Sequence, residues 1–243
     1  MATAGRPTRR RRLRVEAIAS GIRELESAKA HYLRDVLRLG EGARLEVFDG
    51  KGNKAEAHLT SVGPTCVRLD VGAAEQDDAP HCALTLYVAP PKGERADWLV
   101  EKSTELGVAR IVWIETARSV TVPEPGSNKA QRWQRLAESA ATQCGRSTVP
   151  ILEGPVRLAD ILATREPEQL RLVGDFAGPP IVDLLVDAPS SVGCLVGPEG
   201  GLTADELAHC DRARWLRASL APHVLRVETA AVAACAQVMG VSA

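Results

Sequence analysis

Residues 192–203 read VGCLVGPEGGLT and combine a predicted strand, turn and helix start. The apolar run Val192–Val196 predicts a buried strand, because short apolar runs of this kind fill the middle of parallel sheets. Gly197–Gly201 predicts a tight turn, since glycine adopts backbone conformations that other residues avoid. Thr203, followed three positions later by Glu206, has the pattern of a capping box that begins a helix. A strand, a turn and a helix in this order are typical of an α/β fold.

The same alternation of strands and helices extends from about residue 82 to the end of the sequence. Strands are predicted at Leu84–Ala89, Arg110–Glu115, Leu170–Gly174 and Trp215–Leu220, and helices at Glu94–Leu106, Asn128–Cys144 and Val227–Gly240. In the first of these helices, Trp98, Leu99, Lys102 and Leu106 are spaced by three or four positions, which indicates one helix face. Strands that alternate with helices predict a parallel sheet.

The sequence before residue 80 has a different pattern. Apolar residues alternate with polar ones between Arg44 and Val71, which predicts a small antiparallel β domain. A helix is predicted over Ser27–Leu39, with Gly40 at its end. The acidic stretch 74–80 predicts a linker, so we expect one domain over residues 1–76 and a second over residues 82–243.

The charge of the chain is distributed unevenly. The net charge of −1 over 243 residues by itself argues against a nucleic-acid partner. Residues 1–38, however, contain ten Arg and Lys against four Asp and Glu, which gives +6 there and −7 over the rest. A basic front end is the electrostatic pattern of nucleic-acid binding. The aromatic content of 3% argues against stacking on single strands and favours recognition of a folded RNA by its shape.

Several classes of protein are disfavoured by the composition. No apolar run reaches the roughly 18 residues of a membrane span, and the Arg-rich start is not followed by the apolar segment of a secretory signal. The six cysteines form no CxxC pair, so we expect free thiols in a reducing compartment, which is the cytoplasm. The five histidines have no ligand spacing, so we expect no metal.

Two loops are candidates for ligand binding. Gly197–Gly201 follows a buried strand, where α/β sheets bind ligands, although it matches neither the dinucleotide nor the triphosphate motif. A turn that needs glycine for its geometry alone is the alternative; Glu199, a charge at a strand end, favours a ligand loop. The second loop, 220–230, contains a histidine and an Arg-x-Glu pair before a helix rich in small residues. Glu228 also fits as an acidic residue stabilising the start of that helix.

These motifs together resemble a known family. Lys92-Gly93, Glu101–Val108 and Gln143-x-x-Arg146 are followed by LVGPEGG and then by LRVETA. This order resembles the RsmE-type SPOUT methyltransferases, which methylate N3 of a uridine in 16S ribosomal RNA of the small subunit. The segments His31–Arg38 and Phe48–Gly50 extend the resemblance over nearly the whole chain. The sequence departs from the family pattern at Ala221, where glycine is usual, and at His223, where arginine is usual.

The resemblance implies the following fold and partners. The N-terminal domain is expected to be a PUA-like RNA-binding β-barrel. The C-terminal SPOUT domain is expected to be α/β with a parallel sheet and a deep trefoil knot, a rare exception to unknotted connectivity. S-adenosylmethionine is the expected methyl donor. The protein is expected to be a cytoplasmic homodimer that acts on ribosomal RNA in the assembled small subunit during ribosome biogenesis, without a membrane and without a metal.

The resemblance also implies site residues. The expected cofactor-binding residues are Leu195, Gly197, Glu199, Gly200, Gly201, Leu220, Leu225, Arg226, Thr229 and Ala230. For catalysis, Arg226 is the first candidate for the cation that stabilises a uridine anion and Arg146 the second, and Glu199 and Glu228 are candidate proton acceptors or loop-orienting groups. The expected RNA phosphate contacts are Arg9, Arg10, Arg11, Arg12, Arg34, Arg38, Lys92 and Arg146.

Two other functions stay open at this point. A SPOUT-type ribose 2′-O-methyltransferase would share the fold, although the front domain and the helix around Lys102–Gly107 favour the uridine-N3 family. A non-catalytic RNA-binding assembly factor that retains the knot is the other, and the presence of Glu199 and Arg226 argues against it.

Overall fold

The computed structural model describes residues 11–78, 80–119, 123–164, 168–186 and 188–241. The chain divides into two compact units. The first is formed within residues 1–79 together with Ala141–Thr148, and the second within residues 80–140 and 149–243. The sequence had assigned Ala141–Thr148 to the second domain.

A mixed sheet is the centre of the first unit. Its strands are β1 (Arg12–Arg14), β2 (Gly21–Glu26), β3 (Arg44–Phe48), β4 (Asn53–Val62), β5 (Cys66–Val71) and β6 (Glu75–Gln76). The order is β1-β3-β4-β5-β2, with β6 beside β4. The predicted antiparallel pairing of β3, β4 and β5 is confirmed, and β1 adds to β3 in parallel. Because β6 lies within the predicted linker 74–80, part of that stretch is a sheet edge instead.

The predicted helix over Ser27–Leu39 is shorter than expected. Helix α1 covers Ser27–His31 and continues as one π-helical turn over Tyr32–Val36. The left-handed conformation falls on Arg38, with φ of 52°, and not on Gly40. Leu33 and Leu39 are buried in the core of this unit, and the Leu39 N–H donates to the Leu33 carbonyl at 3.0 Å. These two leucines therefore anchor the end of the helical segment in the core of the unit.

A parallel sheet is the centre of the second unit. Its strands are β7 (Ala83–Val88), β8 (Arg110–Glu115), β9 (Ile151–Arg157), β10 (Leu170–Gly174), β11 (Ser191–Val196) and β12 (Leu216–Ala218). Its helices are α2 (Arg95–Glu105), α3 (Asn128–Cys144, in this unit through Ala140), α4 (Leu158–Ala163), α5 (Ala204–Arg212) and α6 (Val227–Val241), with a 3₁₀ turn at Ile181–Leu184. The sheet order is β12-β10-β11-β7-β8-β9, and every pairing is parallel, as predicted.

Both faces of this sheet are covered. Leu86 of β7 and Cys194 of β11 pack into one apolar cluster that includes residues of α2 and α6. Their neighbours Tyr87 and Leu195 point into a second cluster, which includes residues of α4 and α5. This is why these strands are near-continuous apolar runs, since strands buried on both faces do not alternate. No helix in the described ranges is long and apolar enough to cross a membrane.

Several features of this unit differ from the sequence-based expectation; helix α4, for example, was not predicted. Trp98, predicted to share one face of α2 with Leu99, is 42% exposed, whereas Leu99 is fully buried. Strand β9 was not predicted, because Gly154 and Pro155 interrupt its apolar pattern. Proline is tolerated there because β9 is the edge strand of the sheet.

Candidate active site

A cavity of about 300 Å³ lies at the carboxyl ends of three neighbouring strands, β12, β10 and β11. Its walls come from the segments that follow these strands: residues 174–176, residues within 196–202 and residues within 218–225. Val227 and Ala230 of α6 complete the lining on one side. Open parallel sheets bind ligands at this end of the strands, so the cavity is the candidate active site.

The Gly-rich loop after β11 is restrained by hydrogen bonds and close packing. Gly201 has φ of 68°, and its N–H donates to the Pro198 carbonyl at 2.8 Å, which closes a turn. The predicted capping box is confirmed: Glu206 N–H donates to Thr203 Oγ1 at 3.2 Å, and Thr203 N–H donates to the Glu206 carboxylate at 2.8 Å. A Cβ on Gly197 would lie 3.0 Å from Cγ of Leu202, so the backbone there fits closely against its own loop. The loop therefore presents backbone groups to the cavity at fixed positions.

The second loop, after β12, forms the opposite wall. Gln237 of α6 donates from Nε2 to the Leu220 carbonyl at 3.0 Å, and Ser219 Oγ donates to the Ala221 carbonyl at 3.1 Å. Both bonds anchor the start of the loop. Further along the loop, His223 is exposed and Val224 is 86% exposed. Both residues line the cavity, so this part of its wall is open to solvent.

A third wall of the cavity was not predicted from the sequence. Asp175 and Phe176 follow β10 and line the cavity. The Asp175 N–H donates to the Ala218 carbonyl at 3.0 Å, and Arg217 donates from Nη1 to Asp175 Oδ2 at 3.0 Å. Hydrogen bonds to Asp211, and then the charges of Asp211 and Asp175, raise the pKa of Arg217 above its usual value. An acidic residue directly after the buried strand Leu170–Gly174 was the available signal.

The cofactor residues expected from the sequence fall into two groups. Those that line the cavity are Gly197, Glu199, Gly201, Leu220, Leu225 and Ala230. Those outside the lining are Leu195, Gly200, Arg226 and Thr229. Leu195 is 1% exposed and packs in the core below the loop, while Arg226 and Thr229 are exposed.

The two candidate proton acceptors occupy different places. Glu199 is one of the residues that line the cavity, and its Oε1 accepts a hydrogen bond from the Lys92 N–H at 3.3 Å. Glu228 is 8% exposed and is not among the described residues of the cavity lining. Its carboxylate faces Arg95 of α2, with 3.8 Å between Glu228 Oε1 and Arg95 Nε. The structure thus separates Glu228 from the ligand space and keeps Glu199 in it.

The burial of Arg12 contradicts its predicted role as an RNA phosphate contact. Arg9 and Arg10 lie outside the described residues, and Arg11 is exposed. Arg12, by contrast, is 6% exposed: its Nε donates to Glu46 Oε1 at 2.7 Å, and its Nη1 donates to the Arg146 carbonyl at 2.8 Å. Because the N–H groups of its guanidinium donate hydrogen bonds inside the first unit, Arg12 is unsuited to contact a phosphate.

The remaining expected RNA contacts differ in accessibility. Arg38 and Lys92 are exposed. Arg34 is half-buried and donates to both carboxylate oxygens of Asp35, at 2.9 and 2.5 Å. Arg146 is half-buried, burial lowers the pKa of its guanidinium, and its Nη2 donates to Thr148 Oγ1 at 3.0 Å. Arg146 belongs to the first unit, whereas Lys92 belongs to the second.

The cysteines are free thiols, as the sequence indicated. Burial raises the pKa of Cys194, and it raises the pKa of Cys235 to about 12. These thiols are therefore neutral packing groups, since the thiolate is the reactive form of cysteine.

Comparisons with known proteins agree with this architecture. Residues 78–239 match the sequence model of the RNA methyltransferase domain, and residues 25–70 match that of the RNA methyltransferase PUA domain. The ribosomal RNA small subunit methyltransferase E of Synechocystis sp. is 32% identical over 228 residues, which cover 92% of this chain and 74% of the relative.

Two solved structures have the same fold. One is a Legionella pneumophila protein in complex with the bound cofactor SAM, with a TM-score of 0.85, 28% identity and coverage of 96% of this chain and 98% of that chain. The other is the ribosomal RNA small subunit methyltransferase E of Neisseria gonorrhoeae bound to S-adenosyl methionine, with a TM-score of 0.84, 27% identity and coverage of 93% and 95%. The resemblance stated from the sequence is confirmed, and the chain belongs to the ribosomal RNA small subunit methyltransferase E family of RNA methyltransferases.

Proposed function

We propose that this enzyme transfers the methyl group of S-adenosylmethionine to N3 of a uridine in 16S ribosomal RNA. The observation that carries the proposal is the cavity at the ends of β10, β11 and β12, built from the LVGPEGG and LR-x-ETA motifs within the matched RNA methyltransferase domain. The Legionella and Neisseria structures with the same fold hold this cofactor.

The residues around the cavity fit S-adenosylmethionine. The cavity volume of about 300 Å³ is at the lower end of the range for small-molecule sites. Leu220, Leu225 and Val227 supply apolar walls for an adenine ring. The Glu199 and Asp175 carboxylates supply acceptors for ribose hydroxyls or for a positively charged group. When bound, the cofactor supplies a methyl group on a sulfonium that leaves as a neutral thioether, so the reaction as proposed invokes no metal.

The chain has to deprotonate the uridine imide and stabilise the anion. Arg226 is exposed and directly precedes α6, next to Leu225 and Val227 of the cavity lining, so its guanidinium is our candidate for the cation near the base edge. Glu199 is our candidate proton acceptor, because it is the candidate acceptor that lines the cavity. We assign no proton transfer to Glu228, which faces Arg95.

RNA binding is assigned mainly to the first unit. The PUA domain model matches residues 25–70, which include Arg34 and Arg38. We propose phosphate contacts by Arg11, Arg34, Arg38, Lys92 and Arg146, with Arg9 and Arg10 preceding the described residues. Such contacts give salt-dependent affinity that is largely independent of sequence.

Three finer features of the fold are part of the proposal. We infer that the first sheet closes as a PUA-like barrel and that the second unit contains a deep trefoil knot. The path of the chain supports the knot: after edge strand β12, α6 returns to pack against α2 and β7 near the middle of the sheet. We also infer a homodimer in the cytoplasm acting on the assembled small subunit, and the exposed Trp98 on α2 and Val241 on α6 offer apolar contacts for a second copy.

The proposal is tested by incubating the protein with labelled S-adenosylmethionine and small ribosomal subunits, followed by nucleoside analysis of the RNA. We expect 3-methyluridine, and we expect Arg226→Ala to lower turnover at least a hundredfold while cofactor binding persists, as for other groups that stabilise developing charge. Near-full turnover by Arg226→Ala would remove Arg226 from the chemistry. A label on ribose would favour a 2′-O-methyltransferase, and no label despite cofactor binding would favour an assembly factor.

A further inference from the structure

Arg95, the first residue of α2, lies between two carboxylates from different loops. Its Nη1 is 3.9 Å from Glu199 Oε1, and its Nε is 3.8 Å from Glu228 Oε1. Glu199 belongs to the Gly-rich loop after β11, and Glu228 lies in the first turn of α6, after the second loop. One guanidinium therefore lies within ion-pair distance of carboxylates from both of these segments.

The two carboxylates differ in burial. The Glu228 side chain is 10% exposed and the Glu199 side chain 35%. Within the described part of the chain, Oε2 of Glu228 has no hydrogen-bond partner. A buried carboxylate is costly without an opposite charge, and the Arg95 guanidinium, on a side chain that is 46% exposed, lies within ion-pair distance of Glu228. Glu199, at the more exposed side, is restrained by Arg95 and by the Lys92 N–H at 3.3 Å.

This arrangement indicates a role for the buried Glu228 other than proton transfer. We propose that Glu228 and Arg95 are positioning residues: Glu228 holds Arg95, and Arg95 holds the Glu199 carboxylate in place to accept hydrogen bonds from donor groups of S-adenosylmethionine. The inference rests on the proposed function for the identity of that ligand. A charge that lies outside the cavity lining then controls affinity for the cofactor through two intervening contacts.

The test is a double-mutant cycle read out as the calorimetric Kd for S-adenosylmethionine. Arg95→Gln and Glu228→Gln are each expected to raise Kd about fivefold, the scale of a partly exposed ion pair. Because both act through one chain of contacts, the double variant is expected to bind no more weakly than either single variant. Arg95→Lys, which keeps the charge, is expected to recover part of the affinity.

The control is Arg132→Gln, which removes an exposed guanidinium that pairs with Asp97 at 2.7 Å, and it is expected to leave Kd unchanged. Misfolding would lower the binding stoichiometry and not the Kd of the folded fraction, so the two effects are separable. Wild-type affinity in Glu228→Gln, or additive losses in the double variant, would overturn the inference. An Arg95→Gln variant that loses affinity for RNA alone would show a phosphate contact in its place and would overturn it too.

Failure of the proposed function would give a different experimental result. If the unmodified protein binds the cofactor and the cycle is non-additive but no methyl group reaches RNA, the positioning role stands and the methyl transfer does not. If the unmodified protein does not bind S-adenosylmethionine, both proposals are wrong.

Discussion

Arg118 donates a hydrogen bond from Nη1 to the carbonyl oxygen of Gly200, with 2.7 Å between the two atoms. The contact is close, because a Cβ on Gly200 would lie 3.3 Å from Cδ of Arg118. The preceding residue, Ala117, donates its N–H to Oε1 of Glu206 in the capping box at 2.8 Å. The loop after β8 thus clamps the Gly-rich loop at Gly200 and the following helix α5 at Glu206.

Loss of this clamp should weaken cofactor binding. Arg118→Gln removes the charged donor, and because a hydrogen bond contributes about 1 kcal/mol, we expect the Kd for S-adenosylmethionine to rise roughly fivefold in calorimetry. Arg157→Gln is the matched control: Arg157 is also exposed, pairs with Asp160 at 2.9 Å and is not part of the cavity lining in the described residues. Equal affinities in both variants would show that the loop keeps its geometry without Arg118.

Arg12 is expected to contribute to folding stability and not to RNA affinity. Its Nη2 is 2.6 Å from Glu46 Oε1, and the two side chains are 5% and 11% exposed. Arg12→Met leaves Glu46 without this partner, so we expect the free energy of unfolding, measured in urea, to fall by about 3–5 kcal/mol. Arg11→Met, at the exposed neighbouring position, should change it by less than about 0.5 kcal/mol. A stable Arg12→Met variant would contradict the structural role.

The difference in burial between Arg11 and Arg12 could not be predicted from the sequence. The run Arg9–Arg12 is uniform in composition and indicates one basic surface. Arg12 is buried because it is the first residue of β1, next to Glu46 of β3, and β1 joins its sheet through a parallel pairing between distant residues. Pairings of this kind leave no local pattern. The capping box at Thr203 and Glu206, by contrast, was predictable because all of its contacts are within four residues.

The turn after β3 should make the first unit sensitive to acid. Burial raises the pKa of Asp49, but hydrogen bonds from the Asn53 side chain and from the Lys51 and Asn53 N–H groups outweigh it, so the pKa is below its usual 3.8. A lowered pKa in the folded state means that the stabilisation is present above the unfolded value and is lost as the pH falls through the folded value. We expect a decline in the free energy of unfolding below about pH 4.

Asp49→Asn tests the origin of that decline. The variant should be less stable than the unmodified protein at pH 7, and the difference should shrink as the pH falls below 4 in urea titrations. A difference that stays constant with pH would assign the effect to packing and not to the carboxylate charge.

The exposed arginines of the first unit should set the salt dependence of RNA binding. Each phosphate contact adds about 0.7–0.9 to the slope of log Kd against log salt concentration. Arg11→Gln and Arg38→Gln together should therefore reduce the slope by about 1.5. Arg68→Gln, an exposed arginine paired with Glu24 at 3.0 Å, is the control and should leave the slope unchanged. An unaltered slope in the double variant would place the RNA on another surface.

Two of the three walls of the candidate site were singled out from the sequence. The loop after β11 contains glycine, proline and Glu199, and the loop after β12 contains proline, histidine and the Arg-x-Glu pair, which at strand ends indicate ligand loops. The segment after β10, residues 174–180, also contains glycine, proline and the charged Asp175, but its place in the site depends on β10 lying between β12 and β11. Strand order depends on packing across the whole sheet, so a single sequence does not specify which strand ends become neighbours.

Mass-spectrometric mapping of 16S ribosomal RNA from cells with and without this protein tests the proposed methyl transfer to uridine N3. We expect one 3-methyluridine that is present with the protein, absent without it and restored by the unmodified protein, while Arg226→Ala fails to restore it. Identical modification maps in both cells, or the loss of a ribose methyl group in place of the base methyl group, would contradict it.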